Sequence, residues 1–397
     1  MSTLIIFLII LGLLVLSHEF GHFVAARKSG MKVYEFGFGF PPRFCGLQVL
    51  IKKDNGDRNP TRKYRIVWGR KPAEELPNVP GYESGTIYSF NWLPLGGFVR
   101  IKGEEGQEDG PDSFMAKPYY KKAIVLVAGV AMNIMLAAVI FSIGFMWGLP
   151  QALDGSEDPA IVSSRQLQIM QVLPDRPAQI AGFKAGDIII KIDNLETPKL
   201  EQMQTYVDLN KDQEIMVTVK RGDEIIAKKI TPTVYQDTGK GGIGVGLSEV
   251  GIIKYPWYKA IYKGFILSAL YLKMILWAFG GIIKGLFIGS SSATEALSGP
   301  IGIAVLTGQI AKLGIPYLLN FTAVLSLNLA ILNILPIPAL DGGRLLFITI
   351  GRIFKRQVPL KFEQMAHSLG FLLLMLAVII ITFKDIGRFT NIWQKFF

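Results

Sequence analysis

Four stretches of the 397-residue chain stay apolar for long enough to cross about 30 Å of hydrocarbon, which takes roughly 20 helical residues. The first covers residues 1–27 and becomes apolar at Leu4. The second covers 120–148, with Ala123–Trp147 apolar throughout and Lys121 and Lys122 at its entrance. The third covers 316–347 and carries Asn328 and Asn333. The fourth covers 363–384, centred on Leu369–Phe383. A fifth stretch, 256–290, is also apolar, but Lys259, Lys263, Lys273 and Lys284 recur through it. That recurrence predicts a basic amphipathic helix lying along the membrane interface. Between the spans the pattern changes to short alternations broken by turn residues. In 31–119, Phe36-Gly37-Phe38-Gly39-Phe40-Pro41-Pro42 and Leu93-Pro94-Leu95-Gly96-Gly97 predict aromatic-rich hairpins that touch the membrane. Residues 160–247 predict a compact soluble domain, with a short helix from Pro177, a turn at Gly186-Asp187 and a strand over Ile188–Ile192. The fold class is therefore a polytopic α-helical membrane protein with four transmembrane helices, a membrane-associated β-hairpin region and one soluble domain.

Charge orients this arrangement. The net charge is +11, but the Lys and Arg residues flank apolar segments and form no contiguous basic face, which argues against nucleic acid as a partner. Residues 27–122 hold seventeen Lys plus Arg against eleven Asp plus Glu; residues 151–250 hold eleven against fifteen. The first region should be cytoplasmic and the second extracytoplasmic. With 256–290 at the interface, the end of the third span returns to the side where the first span ends. The single cysteine, Cys45, excludes an internal disulfide framework and a cysteine-rich metal site. The first apolar segment lacks a basic leader and a small-residue cleavage site, so it reads as a retained span.

Candidate chemistry lies inside the apolar segments. His18, Glu19 and His22 form His-Glu-x-x-His; on a helix, positions i and i+4 share a face, so both imidazoles can grip one zinc ion while Glu19 serves as general base. A catalytic zinc site needs a third protein ligand. Asp341 in Leu340-Asp341-Gly342-Gly343 is the preferred candidate, as an intramembrane carboxylate needs a partner; His367, the remaining histidine, is the other. Pro336 and Pro338 should break the helix just upstream. Asn333 and Asn328 are then candidates for binding substrate, or for bridging membrane helices.

His18-Glu19-x-x-His22, the segment Asn328…Asn333-Ile334-Leu335-Pro336-Ile337-Pro338-Ala339-Leu340-Asp341-Gly342, and Gly129-Val130-Ala131-Met132-Asn133 resemble the site-2 protease family of intramembrane zinc metalloproteases, and within it the bacterial regulator-of-sigma-E protease group. The resemblance implies His18, His22 and Asp341 as zinc ligands, Glu19 as the catalytic base and Asn333 in substrate handling. Asn133 matches a motif Asn, with Val130 where Pro is usual, and is read as structural. The stretch Arg176-Pro177-Ala178…Ala181-Gly182-Phe183…Gly186-Asp187-Ile188 resembles a bacterial PDZ domain, one copy where many of the group carry two. Gly96, Gly97, Phe98 and Val99 resemble the family's substrate-receiving edge strand. The resemblance implies a bacterial inner-membrane enzyme with an extracytoplasmic PDZ domain. It would cleave single-span proteins such as an anti-sigma factor, after a site-1 protease has acted, and also remnant signal peptides. Two other classes make different demands on the sequence. A non-catalytic PDZ-containing receptor with structural zinc would not need Glu19, and a transporter would show inverted repeats, which the sequence lacks.

Overall fold

The computed structural model describes residues 2–393, apart from 53–60, 72–75, 154–160, 236–238, 289–297 and a few isolated or paired positions. The chain begins with α1 (Ser2–Lys28), followed by β1 (Val33–Lys52), β2 (Arg62–Trp68), β3 (Tyr82–Ile101) and α2 (Tyr119–Trp147). Then come β4 (Leu149–Ala152), β5 (Val162–Val172), α3 (Pro177–Ile180), β6 (Ile188–Ile192), β7 (Leu195–Glu196) and α4 (Leu200–Leu209). Next are β8 (Ile215–Arg221), β9 (Glu224–Ile230), β10 (Thr233–Val234), β11 (Gly241–Gly242) and β12 (Val245–Ile253). The chain ends with α5 (Trp257–Ile288), α6 (Pro300–Lys312), α7 (Ile315–Ile334), α8 (Asp341–Ile353) and α9 (Leu360–Trp393). These fall into two units, one of residues 1–140, 265–311 and 321–397, the other of 141–264 and 312–320.

Among the described residues five helices are long and apolar enough to cross a membrane: Thr3–Lys28, Tyr119–Trp147, Trp257–Ile282, Ile315–Ile334 and Leu360–Gly387. The stretch expected at the interface is thus one long helix that also meets the criteria for a span. Its last two expected residues, 289 and 290, lie outside the described residues. The expected third span, 316–347, is not one helix. α7 stops at Ile334 and α8 starts at Asp341, because Pro336 and Pro338 lack the N–H groups that would continue the ladder. Asp341 therefore opens a helix of its own instead of lying within one continuous span. That position suits a carboxylate, since the helix dipole presents its positive end there.

In the first unit the predicted hairpins are one sheet of order β2-β1-β3. Phe36 partners both Val99 and Tyr88, and Gly37 both Phe98 and Ser89, so β3 doubles back around this part of β1. Residues 87–90 run between two stretches of β1, whereas among the described residues 97–101 pair with β1 on one side only. The sheet sits on α1 through two glycines. A Cβ on Gly96 would lie 2.7 Å from Val15 Cβ, and one on Gly97 would lie 3.2 Å from Leu16 Cδ1. Phe23, Ala26, Val33, Ile101, Val125 and Leu126 form the core that fastens α1 and α2 to β1 and β3.

The second unit holds a sheet of order β4-β12-β5-β6-β8-β9, with β7 on β6. Alternation drives it: in β8, Ile215, Val217 and Val219 are buried, and they share a core with Leu167, Ile169, Ile189, Ile192, Met203 and Val207. The helix from Pro177 and the strand Ile188–Ile192 lie where the sequence places them. The buried Asp187 carboxylate accepts from Arg221 Nε at 2.7 Å and from the Lys184 amide at 2.9 Å. The sheet reaches beyond 160–247, because β4 pairs with β12 through Leu149–Ile253, Pro150–Ile252, Gln151–Gly251 and Ala152–Val250.

Candidate active site

His18 and His22 sit one turn apart on α1, both buried. His22 Nδ1 lies 2.8 Å from the Val125 carbonyl. A carbonyl only accepts, so Nδ1 carries the hydrogen, and in the neutral ring, the form that binds metal, Nε2 keeps its lone pair. That Nε2 is 3.1 Å from His18 Nε2 and 3.2 Å from Asp341 Oδ2, and His18 Nε2 is 2.9 Å from Asp341 Oδ2. Three donor atoms converge on one point, from two helices 323 residues apart in sequence for the His18–Asp341 contact. Lone pairs crowded this closely repel unless a positive charge stands among them. Tetrahedral zinc with ligands at about 2.0–2.1 Å separates its donors by about 3.3 Å, so both donor set and spacing fit that ion.

The other predicted residues divide. Glu19 Oε2 accepts from the Val99 amide at 3.1 Å, which joins the carboxylate to the outer arm of β3. Asn333 Nδ2 is 3.3 Å from His18 Nε2 and 3.4 Å from His18 Nδ1, so it rests against the ring near the cluster. Gly96 and Gly97 are buried against α1, and Phe98 and Val99 are half-buried. Asn328 is not brought to the cluster by its hydrogen bond, which runs 2.9 Å to Val324 O in its own helix. Among the described residues the metal-capable grouping contains His18, His22 and Asp341, and not His367. His367 Nδ1 instead accepts from the Ala339 amide at 2.8 Å.

Sequence reasoning missed two contributors. A Cβ on Gly129 would lie 2.5 Å from His22 Nε2 and 2.7 Å from His18 Cε1, so α2 must present bare backbone to the imidazoles. The Gly129…Asn133 motif was visible, but not what Gly129 faces. Ala339 has φ +81°, in the left-handed region that costs a residue with a side chain about 1–2 kcal/mol. A glycine there would have announced the turn; an alanine gives no such signal.

Two buried histidines on an apolar helix and a carboxylate at the start of α8 make a grouping that could hold one metal ion. The chain matches peptidase family M50 over residues 6–53 and 79–377. It is 30% identical to a Clostridium perfringens protein named as a candidate zinc metalloprotease, over 94% of this chain and 95% of that one. It is 29% identical to the regulator of sigma-W protease RasP of Bacillus subtilis, over 98% of this chain and 99% of that one. A crystal structure of the PDZ domain of an SdrC-like protein from Listeria monocytogenes is 28% identical over 22% of this chain and 90% of that chain, with a TM-score of 0.20. The chain belongs to peptidase family M50. It is a zinc metalloprotease, and the non-catalytic receptor is set aside.

Proposed function

We propose that this zinc metalloprotease performs site-2 cleavage, cutting single-span membrane proteins such as an anti-sigma factor, and remnant signal peptides, within the bilayer. His18, His22 and Asp341 hold the zinc. When bound, the ion polarises water and the scissile carbonyl. Glu19 takes the proton from that water and later delivers it to the leaving amine. Asn333, beside His18, donates Nδ2–H to the substrate carbonyl oxygen as charge develops on it. A transmembrane helix must unwind before it can be cut, and its freed backbone groups need partners. The outer arm of β3, Gly96-Gly97-Phe98-Val99, supplies them by accepting the substrate as an added strand. The observation that carries this reading is the 3.1 Å contact between the Val99 amide and Glu19 Oε2, which sets an open sheet edge one hydrogen bond from the general base.

The same cluster supports a four-span topology. α1, α2, α7 and α9 are spans, and α5 lies along the outer interface. A spanning α5 would reverse α7 and carry Asp341 away from His18, its partner at 2.9 Å. The unit between α2 and α5 is then an extracytoplasmic PDZ domain that excludes substrates with bulky outer domains, so a site-1 protease acts first. The name of the Bacillus subtilis relative, a regulator of sigma-W protease, supports an anti-sigma factor as the substrate class. Glu19→Gln tests the reading: the purified variant should retain zinc, and cleavage of a single-span reporter should fall by about 10²–10⁴-fold. Cleavage by the variant at near wild-type rate would overturn it.

A further inference from the structure

We infer that His367 is a positioning residue for the zinc site: it fixes the Pro338–Leu340 turn that delivers Asp341 to the two histidines. The inference rests on the reading of Asp341 as a ligand. Farther along α8, Arg344 Nη1 donates to Glu104 Oε1 at 2.6 Å, and Leu345 and Ile348 pack on the core shared by α1 and α2. It is therefore at the start of α8 that the place of the Asp341 carboxylate depends on how firmly the turn is held. Within the turn, Ile337 N bonds Leu335 O at 2.7 Å and Leu340 N bonds Ile337 O at 3.2 Å. Ala339, two residues before Asp341, takes a backbone conformation that alanine disfavours, φ +81°. Left to itself, such a residue relaxes towards negative φ and swings the following helix start. What opposes this is α9. His367 Nδ1 accepts the Ala339 N–H at 2.8 Å, directly at the strained residue. The ring is itself braced against Phe347, with centroids 5.5 Å apart, and Phe347 lies on α8 behind Asp341. One turn along, Gly370 lets α9 close on the turn: a Cβ there would lie 2.5 Å from Pro338 O and 2.7 Å from Pro338 Cβ. A backbone N–H can only donate, so His367 must present a lone pair at Nδ1. No apolar residue of similar size could replace that function.

The test uses the full-length chain in detergent micelles and reads the affinity for zinc and for its cobalt substitute, whose visible spectrum reports ligand geometry. Outer-sphere partners of metal ligands typically contribute about 10–100-fold in metal affinity or activity. His367→Leu should weaken metal binding within that range and alter the cobalt spectrum. His367→Asn, whose Oδ1 can accept the same N–H, should stay within about threefold of wild type on that scale. Ala339→Gly, which accepts φ +81° without strain, should recover part of the loss when combined with His367→Leu. Asp341→Ala serves as the reference and should lose metal in every background. Equal losses in the Leu and Asn variants, or no recovery by Ala339→Gly, would reduce His367 to packing and overturn the proposal. Wild-type affinity in His367→Leu, with metal lost in Asp341→Ala, would overturn it while leaving the ligand assignment standing. Full metal retention in Asp341→Ala would overturn the ligand assignment and the proposal together.

Discussion

Gly129→Ala adds one methyl group at the point where α2 faces the two imidazoles. That carbon would stand 2.5 Å from His22 Nε2, 2.7 Å from His18 Cε1 and 2.9 Å from His18 Nδ1. Ordinary contact between such atoms is about 3.5–4.0 Å, so His22 Nε2 would have to retreat by roughly 1 Å. The ring has no easy retreat. Its Nδ1 is tied to the carbonyl of Val125, one turn before Gly129 on the same helix, so moving α2 away drags the anchor with it. Overfilling a packed site costs about 1–3 kcal/mol of stability, which a domain of this size survives. Displacing a reacting group by 1 Å costs about 10²-fold in rate, or about 2.7 kcal/mol of transition-state stabilisation. Gly129→Ala should therefore leave a folded chain that yields zinc to a weaker chelator and cleaves a single-span reporter about 10²-fold more slowly. Gly280→Ala is the control, since a Cβ there meets nothing within 4 Å, and it should match wild type. Zinc retention and cleavage are read on both proteins at equal concentration. Wild-type values for Gly129→Ala would refute the argument that bare backbone at this position shapes the metal site.

Cysteine probes at Lys63 and Lys211 should label from opposite sides of the membrane; labelling of both from one side would break the four-span topology. Arg221→Ala strips the Asp187 carboxylate of its cation, whose own protonation is strengthened by that hydrogen bond. Because the guanidinium is partly exposed, the expected loss is about 2 kcal/mol, below the usual cost of breaking a fully buried pair. It should appear as faster hydrogen exchange through β6 and β8, and unchanged exchange there would mean that the pair is neutral for stability.

Which features were legible depends on how far they reach along the chain. The spacing of His18 and His22 on a helix is local, and the need for a third ligand pointed to Asp341 without any knowledge of packing. Pro336 and Pro338 announced the break between α7 and α8. The same local reading kept Asp341 inside one span, 316–347, because the apolar run before it looks like its helix. Features set by what lies opposite were hidden. Gly129 is an ordinary small residue in an apolar helix until the imidazoles are seen against it, and nothing in the sequence around Gly96 and Gly97 tells that they seat β3 on Val15 and Leu16. The doubling back of β3 around Phe36 and Gly37 is a long-range pairing that alternation cannot specify. β4 was overlooked because it is four residues long and follows a span directly.

That last strand changes how the chain can be dissected. Because Leu149–Ala152 is zipped to Val250–Ile253, the sheet of the second unit is not a cassette hung on two slack tethers. Excising 160–247 would cut β12 near its start and leave Leu149, Ile252 and Ile253 as a stranded apolar ribbon with open hydrogen-bonding groups, a ready seed for aggregation. Clean surgery has to remove the zipper as a whole, and any swap of this module between relatives must carry both halves of it.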